Sequence, residues 1–243
     1  MVSLSTDYAK LYREITGNSY ESKHHPIFPS HIRMIIAGTS GSGKTKLMID
    51  FIMGRFVHFD DIMIYTTTQN QDTYEYLKLD HEAYKKKCKS SRDMITFHSS
   101  DDGIVSPSEL DKNKTHIVIF DDVMNEENQA VMTEYFCRGR HNNANVFYLC
   151  QSVHQLKKHG IRQNANIFIL FKQDVKTLKF FHETHIIGDM PFDEFTKICY
   201  EAWSKRHGYI VINLWEDLCV RYILNYDTMY VPNICLTNVP NNT

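Results

Sequence analysis

Met34-Ile35-Ile36-Ala37-Gly38-Thr39-Ser40-Gly41-Ser42-Gly43-Lys44-Thr45 decides the fold: four apolar residues run straight into a match to G-x-x-x-x-G-K-[S/T]. The small residues Gly38, Ser40, Gly41 and Gly43 let the backbone curl until its amide groups face one anion, which larger side chains would block. A helix opening near Lys44 adds its positive end. Lys44 supplies a point charge for the β- and γ-phosphates, and the Thr45 hydroxyl is a ligand type for Mg²⁺. An amphipathic segment, Leu47-Met48-Ile49-Asp50-Phe51-Ile52, follows, so the octapeptide has the strand-before, helix-after context that its chemistry requires. The eight residues 38–45 are therefore the expected nucleotide-binding loop. No base-reading signature of the GTPase kind, Asn-Lys-x-Asp, is present, so ATP is the expected nucleotide, with Mg²⁺.

Outward from the loop, apolar runs at 34–37, 62–66, 116–120, 146–149 and 167–171 alternate with helix-like segments. That alternation predicts an α/β domain with a mostly parallel sheet covered on both faces. The charged segment 72–89 is a helix candidate, 94–97 an extra edge strand, and 193–205 a second helix. Runs at 209–214 and 220–224, separated by Trp215-Glu216-Asp217, predict a closing β-hairpin. Residues 1–30, polar and aromatic with His24-His25-Pro26 and Phe28-Pro29, are expected to form an arm or short helix outside the core, leaving 31–243 as the nucleotide-binding domain.

The chain has 243 residues, enough for one substantial core, with 27 Lys and Arg against 29 Asp and Glu. A net charge of −2 excludes a globally basic nucleic-acid coat but leaves room for a local basic surface. Such surfaces have candidates in Lys85-Lys86-Lys87 with Lys89 and Arg92, and in Lys157-Lys158-His159; for the first, a solvated helix face is the alternative. Six scattered cysteines without a C-x-x-C pair point to reduced thiols, and the thirteen histidines, including His24-His25 and His182-x-x-His185, lack the spacing of a zinc site. Phe180-Phe181, Trp203 and Trp215 are expected in core or interface packing. With no secretory signal and no apolar stretch of spanning length, a soluble intracellular protein without a membrane-spanning segment is expected.

The second half of the site is expected at Thr115-His116-Ile117-Val118-Ile119-Phe120-Asp121-Asp122, an apolar strand ending in two carboxylates. Asp121 suits a metal held through water, and Asp122 suits orienting or deprotonating an attacking water, or else capping the helix opened by Glu126-Glu127. Further on, Cys137-Arg138-Gly139-Arg140-His141-Asn142-Asn143-Ala144-Asn145 precedes a strand ending in Gln151-Ser152. In a multistrand nucleotide-binding sheet Gln151 is placed to sense the γ-phosphate, unless it is a plain strand-end amide. Arg138 or Arg140 is placed to reach a neighbouring subunit's nucleotide, unless each pairs with a surface carboxylate such as Glu134.

Taken with Gly160-Ile161-Arg162-Gln163-Asn164-Ala165-Asn166, these segments resemble the viral genome-packaging ATPases of the FtsK/HerA superfamily, as found in poxviruses, giant viruses, virophages and Polinton-type elements. The resemblance covers residues 32–171. It implies an ASCE, RecA-like ATPase domain working as a homo-oligomeric ring that drives double-stranded DNA into a preformed capsid, with capsid or portal-site proteins as partners and the host cell, viral factory or virion as its setting. By resemblance Lys44 and Thr45 bind nucleotide and Mg²⁺, Asp121 serves the metal, Gln151 is the sensor and Arg162 is a second finger candidate. Asp122 stands where many relatives carry glutamate. Two other readings fit a phosphate loop: a nucleotide or small-molecule kinase, for which an Arg-rich lid near the C-terminus is lacking, and a nucleotide-gated assembly protein with little turnover.

Overall fold

In a computed structural model the chain is described at residues 23–89, 93–99, 103–123, 126–156 and 159–237. The elements in order are β1 (Arg33–Ala37), α1 (Lys44–Met53), β2 (Asp61–Thr66), α2 (Asp72–Cys88), β3 (Ile95–His98), β4 (His116–Asp121), α3 (Glu126–Arg138), β5 (Ala144–Cys150) and β6 (Ile167–Phe171). They continue with α4 (Val175–Phe181), which runs into a π-turn at His182–Ile186, then α5 (Phe192–Ala202), β7 (Tyr209–Asn213), β8 (Tyr222–Leu224), β9 (Thr228–Tyr230) and α6 (Asn233–Thr237).

The strands make one sheet in the order β3-β2-β4-β5-β1-β6-β7-β8-β9. Pairing is parallel from β3 to β6 and antiparallel from β6 to β9. The protein is thus a P-loop α/β domain with an antiparallel C-terminal extension.

The period of two along the strands explains why the sheet can be buried on both faces. Met34 and Ile36 of β1, with Ile117 and Ile119 of β4, join a core under α1 and α2 that includes Leu47, Phe51 and Tyr74. Ile35 and Ala37, with Val118 and Phe120, join the opposite core under α3, α4 and α5, which holds Phe136, Phe181 and Phe195. Every residue of β4, β5 and β6 is buried. β3 takes the edge position next to β2.

Several expected boundaries move for physical reasons. The helix expected to Lys205 ends at Ala202, because the chain folds back over the helix end: a Cβ on Gly208 would lie 2.1 Å from the Ala202 carbonyl oxygen. The expected hairpin is a three-stranded meander: Leu218–Val220 forms a 3₁₀ turn, β8 starts after it, and β9 adds a short third strand. Residues 23–30 are not outside the core. Ile27 and Phe28 are buried, and Phe28 meets Phe51 of α1 edge to face at 5.2 Å, so the expected arm to residue 30 is corrected there. Residues 1–22 lie outside the described residues. Trp203 fulfils its packing role and donates Nε1–H to the Leu170 carbonyl at 2.9 Å, but Trp215 is 58% exposed and no part of the core.

Candidate nucleotide-binding site

The loop between β1 and α1 opens at the C-terminal end of the parallel strands. Gly38 N–H donates to the Cys150 carbonyl at the end of β5, fixing the loop's root to the neighbouring strand. A side chain at Gly38 would collide with Ser42 Oγ at 2.6 Å and Phe171 Cβ at 2.7 Å. Gly41 and Gly43 turn the backbone with φ of 73° and 106°, values that only glycine adopts without strain. Nothing would meet a Cβ at Gly41 within 4 Å, so the loop's outer turn faces open space.

Lys44 lies inside this curl, where its Nζ donates to the Gly38 and Thr39 carbonyls at 2.6 and 3.1 Å. Burial pulls its pKa down, while the carboxylates of Asp121 and Asp122 push it up. Ser42 Oγ is buried in the loop without a hydrogen-bond partner among the described residues. A buried hydroxyl among inward-turned backbone and a lysine held at the mouth of the loop fit a phosphate-binding nest.

Because β5 lies between β1 and β4, the strand-end carboxylates come within reach of α1. Thr45 Oγ1 donates to Asp121 Oδ2 at 3.3 Å, and Tyr74 of α2 donates its hydroxyl to the same oxygen at 2.5 Å. Asp121 is buried, which raises its pKa against the lowering effect of those two hydroxyls and Lys44. Asp122 stands exposed at φ 55°, a left-handed geometry that aspartate tolerates better than most residues. It caps no helix, since α3 starts at Glu126. Gln151 Nε2 reaches Asp122 Oδ2 at 3.4 Å from the end of β5.

Together these groups line a cleft of about 340 Å³ that runs from Ser40 and Lys44 to Asp122 and Gln151. Thr68, Gln71 and Thr73 form its outer wall. Tyr74 and this β2–α2 wall were missed in the sequence, although the polar run Thr66-Thr67-Thr68-Gln69-Asn70-Gln71 after an apolar strand was the available signal. Among the described residues no group of three or more His, Cys, Asp or Glu side chains is placed to hold a metal. The donors the cleft does present, the Thr45 hydroxyl and the Asp121 carboxylate, are of the kind Mg²⁺ takes beside phosphate oxygens.

Arg138 and Arg140 are not in this cleft. They sit exposed before β5, at the other end of the strand whose far end bears Gln151, roughly 20 Å away for seven residues of extended chain. Neither joins an ion pair among the described residues, and Glu134 receives Ser106 Oγ at 3.5 Å instead. Arg162 is 8% exposed, its Nε lacks a partner among the described residues, and its guanidinium lies 4.7 Å over the Phe180 ring, which His154 covers at 4.0 Å.

The other flagged groups serve the fold. Lys85 pairs with Glu82 and Asp93 at 3.2 and 2.6 Å, as a solvated helix face does, while Arg92 and Lys157-Lys158 lie outside the described residues. His24 Nδ1 accepts from the His58 amide, and His182 donates Nε2–H to the Met190 carbonyl. His185 packs against Phe168 and Phe181, where burial and Arg162 lower its pKa to about 4.

The family model described as Poxvirus A32 protein matches residues 21–189. The DNA packaging protein OPG160 of Variola virus is 27% identical over 142 residues, covering 57% of this chain and 52% of that protein, so the match spans about half the length of this relative. Among solved structures, the genome packaging NTPase B204 of Sulfolobus turreted icosahedral virus 2 in complex with sulfate is similar with TM-score 0.50 and 13% identity, covering 76% of this chain and 92% of that one. The same NTPase in complex with ATP-gammaS gives TM-score 0.50, 14% identity and coverage of 77% and 94%. At such identities the structural likeness bears on the fold.

Proposed function

The chain belongs to the Poxvirus A32 protein family, and from that premise and its cleft we propose an ATP-hydrolysing motor that moves double-stranded DNA into a viral capsid. The observation that carries the catalytic half is the meeting of Thr45 with Asp121 at 3.3 Å, which joins the phosphate loop to the strand-end carboxylate. DNA as the cargo rests on the packaging relatives.

In this reading the backbone amides from Gly41 to Lys44 cradle the β-phosphate. Lys44 leaves the Gly38 and Thr39 carbonyls for the β- and γ-phosphate oxygens, exchanging neutral acceptors for charged ones. Thr45 Oγ1 and Asp121 are the groups placed to hold Mg²⁺, directly or through water, and the ion when bound offsets charge on the β- and γ-phosphates. Tyr74 keeps the Asp121 carboxylate aimed at Thr45. Gln151 and Asp122, 3.4 Å apart on the open side, position the attacking water, and Asp122 accepts its proton as the γ-phosphoryl group leaves ADP.

Arg138 and Arg140 point to a homo-oligomeric ring, because a cation at the far end of β5 stabilises γ-phosphate charge only on an adjacent subunit. Capsid or portal-site proteins complete the proposed assembly, in the host cell or viral factory. No helix among the described residues is long and apolar enough to cross a membrane.

The test is ATP turnover per subunit against protein concentration, with and without duplex DNA. Turnover that rises as subunits associate, and rises again with DNA, supports the ring motor. Turnover per subunit that is flat at all concentrations and indifferent to DNA overturns it.

A further inference from the structure

A second, smaller cavity of about 200 Å³ adjoins the phosphate loop on the side away from Asp121, and Gly43 and Lys46 line both it and the main cleft. Its walls include Phe171 at the end of β6, Tyr209 at the start of β7 and His207 from the α5–β7 turn, with Leu47 and Asp50 of α1 on the other side. Phe171 and Tyr209 lie with ring centroids 5.4 Å apart, tilted by 53°. A Cβ on Gly43 would be 3.6 Å from the Phe171 ring and 3.7 Å from His207, so these two rings flank the loop where the helix begins. His207 is locked there: its backbone is left-handed at φ 56°, and Nδ1–H donates to the Ser42 carbonyl at 3.0 Å.

The strand order gives this cavity an occupant. Asp121, Asp122 and Gln151 fix the γ end of a bound triphosphate on the β4 and β5 side of β1, so the nucleoside at the α end must leave the loop towards β6 and β7. The cavity lies on that path, directly past Gly43 and Lys46. We propose that Phe171, His207 and Tyr209 form the nucleobase pocket, with the His207 ring as a stacking partner of the base; this rests on the nucleotide reading of the loop. Aromatic faces attract every base, so the pocket holds ATP and GTP with similar affinity.

The experiment measures dissociation constants of the full chain for ATP, GTP and inorganic tripolyphosphate, which has the phosphates but no base. His207→Asn removes the ring but keeps a side-chain N–H to donate to the Ser42 carbonyl, at a position where asparagine tolerates the left-handed backbone. It is expected to weaken ATP roughly tenfold, in line with the loss of one stacking partner, and to leave tripolyphosphate within about twofold. Equal weakening of ATP and tripolyphosphate by His207→Asn, or no weakening of either, overturns the base pocket while leaving the phosphate loop standing. If Lys44→Ala changes the affinity for neither ligand, the nucleotide reading itself fails and the pocket falls with it.

Discussion

The central strands are polar at both ends, yet the two ends use polarity in opposite ways. At the N-terminal end, Asn145 Oδ1 accepts from the Ile32 amide at 2.8 Å, and its Nδ2 donates to the His116 carbonyl at 3.4 Å. Asn166 does the same one strand over, accepting from Arg33 N–H at 2.8 Å and donating to the His31 carbonyl at 2.7 Å. Both are nearly sealed from solvent, at 2% and 6% exposure. At the C-terminal end, among the described residues, Ser42 Oγ has no partner, Lys44 donates to its own loop, and Asp122 and Gln151 meet at 3.4 Å in the cleft. Polar groups that satisfy one another hold the sheet in register, and polar groups turned into a cleft are the kind that contact a ligand.

Arg138 and Arg140 test this contrast most severely, because they stand at the structural end without an ion-pair partner among the described residues. If a neighbour's nucleotide is their target, replacing both by alanine lowers turnover by about 10³-fold without a change in melting temperature, since both are exposed. Mixing these subunits with Lys44→Ala subunits then restores part of the rate, because each supplies what the other lacks. Undiminished turnover in the double variant makes the N-terminal end structural throughout.

Lys44→Ala strikes the other end. Its Nζ contacts only loop carbonyls, so folding should be unaffected while turnover falls by about 10²- to 10³-fold, the usual loss for removing one group that meets developing charge. The readouts are the ATPase rate and the unfolding midpoint of the same preparation. A rate within tenfold of the parent removes Lys44 from the chemistry.

Legibility in the sequence followed the same divide. The loop, the carboxylate pair and the parallel sheet were readable because each is local: a strand, a turn and a helix start lie within a dozen residues. Tyr74 was not, since its partner Asp121 is 47 residues away and only the β2–β4 pairing brings α2 over it. The segment 160–166 was visible as a motif but not in its role. Asn164 donates to the Gly160 carbonyl and accepts Arg33 Nε–H on its own carbonyl, and Asn166 clamps β1, so the motif straps β6 to β1. Burial of Arg162 beneath Phe180 likewise depends on α4, far along the chain. Register between distant strands has no local signature.

The strap predicts a stability effect separable from chemistry. Asn166→Ala leaves the Arg33 amide and the His31 carbonyl without their partner in a part-buried setting, which costs about 1–2 kcal/mol. Urea unfolding should show this loss, while ATP affinity of the folded variant stays within about twofold, because the site lies at the opposite end of the strands. Loss of affinity matching the loss of stability would mean that the two ends are not independent.

The smallest expected effect separates what Asp121 does for the fold from what it does for the ligand. Burial outweighs the Tyr74 and Thr45 hydroxyls and raises its pKa above the ordinary carboxylate range. Within that window the native chain keeps a proton that the unfolded chain has released. Stability is therefore lost as pH rises from the ordinary carboxylate value through the raised one, and stays lower at neutral pH. Asp121→Asn keeps an acceptor for Tyr74 but cannot ionise, so the nucleotide-free variant should melt a few degrees higher than the parent at neutral pH and lose that dependence. Its turnover should collapse over the same range. A variant that melts lower than the parent would instead mean that the bonds from Tyr74 and Thr45 outweigh the cost of burying the charge, placing Asp121 with Asn145 and Asn166 among the residues that hold the sheet together.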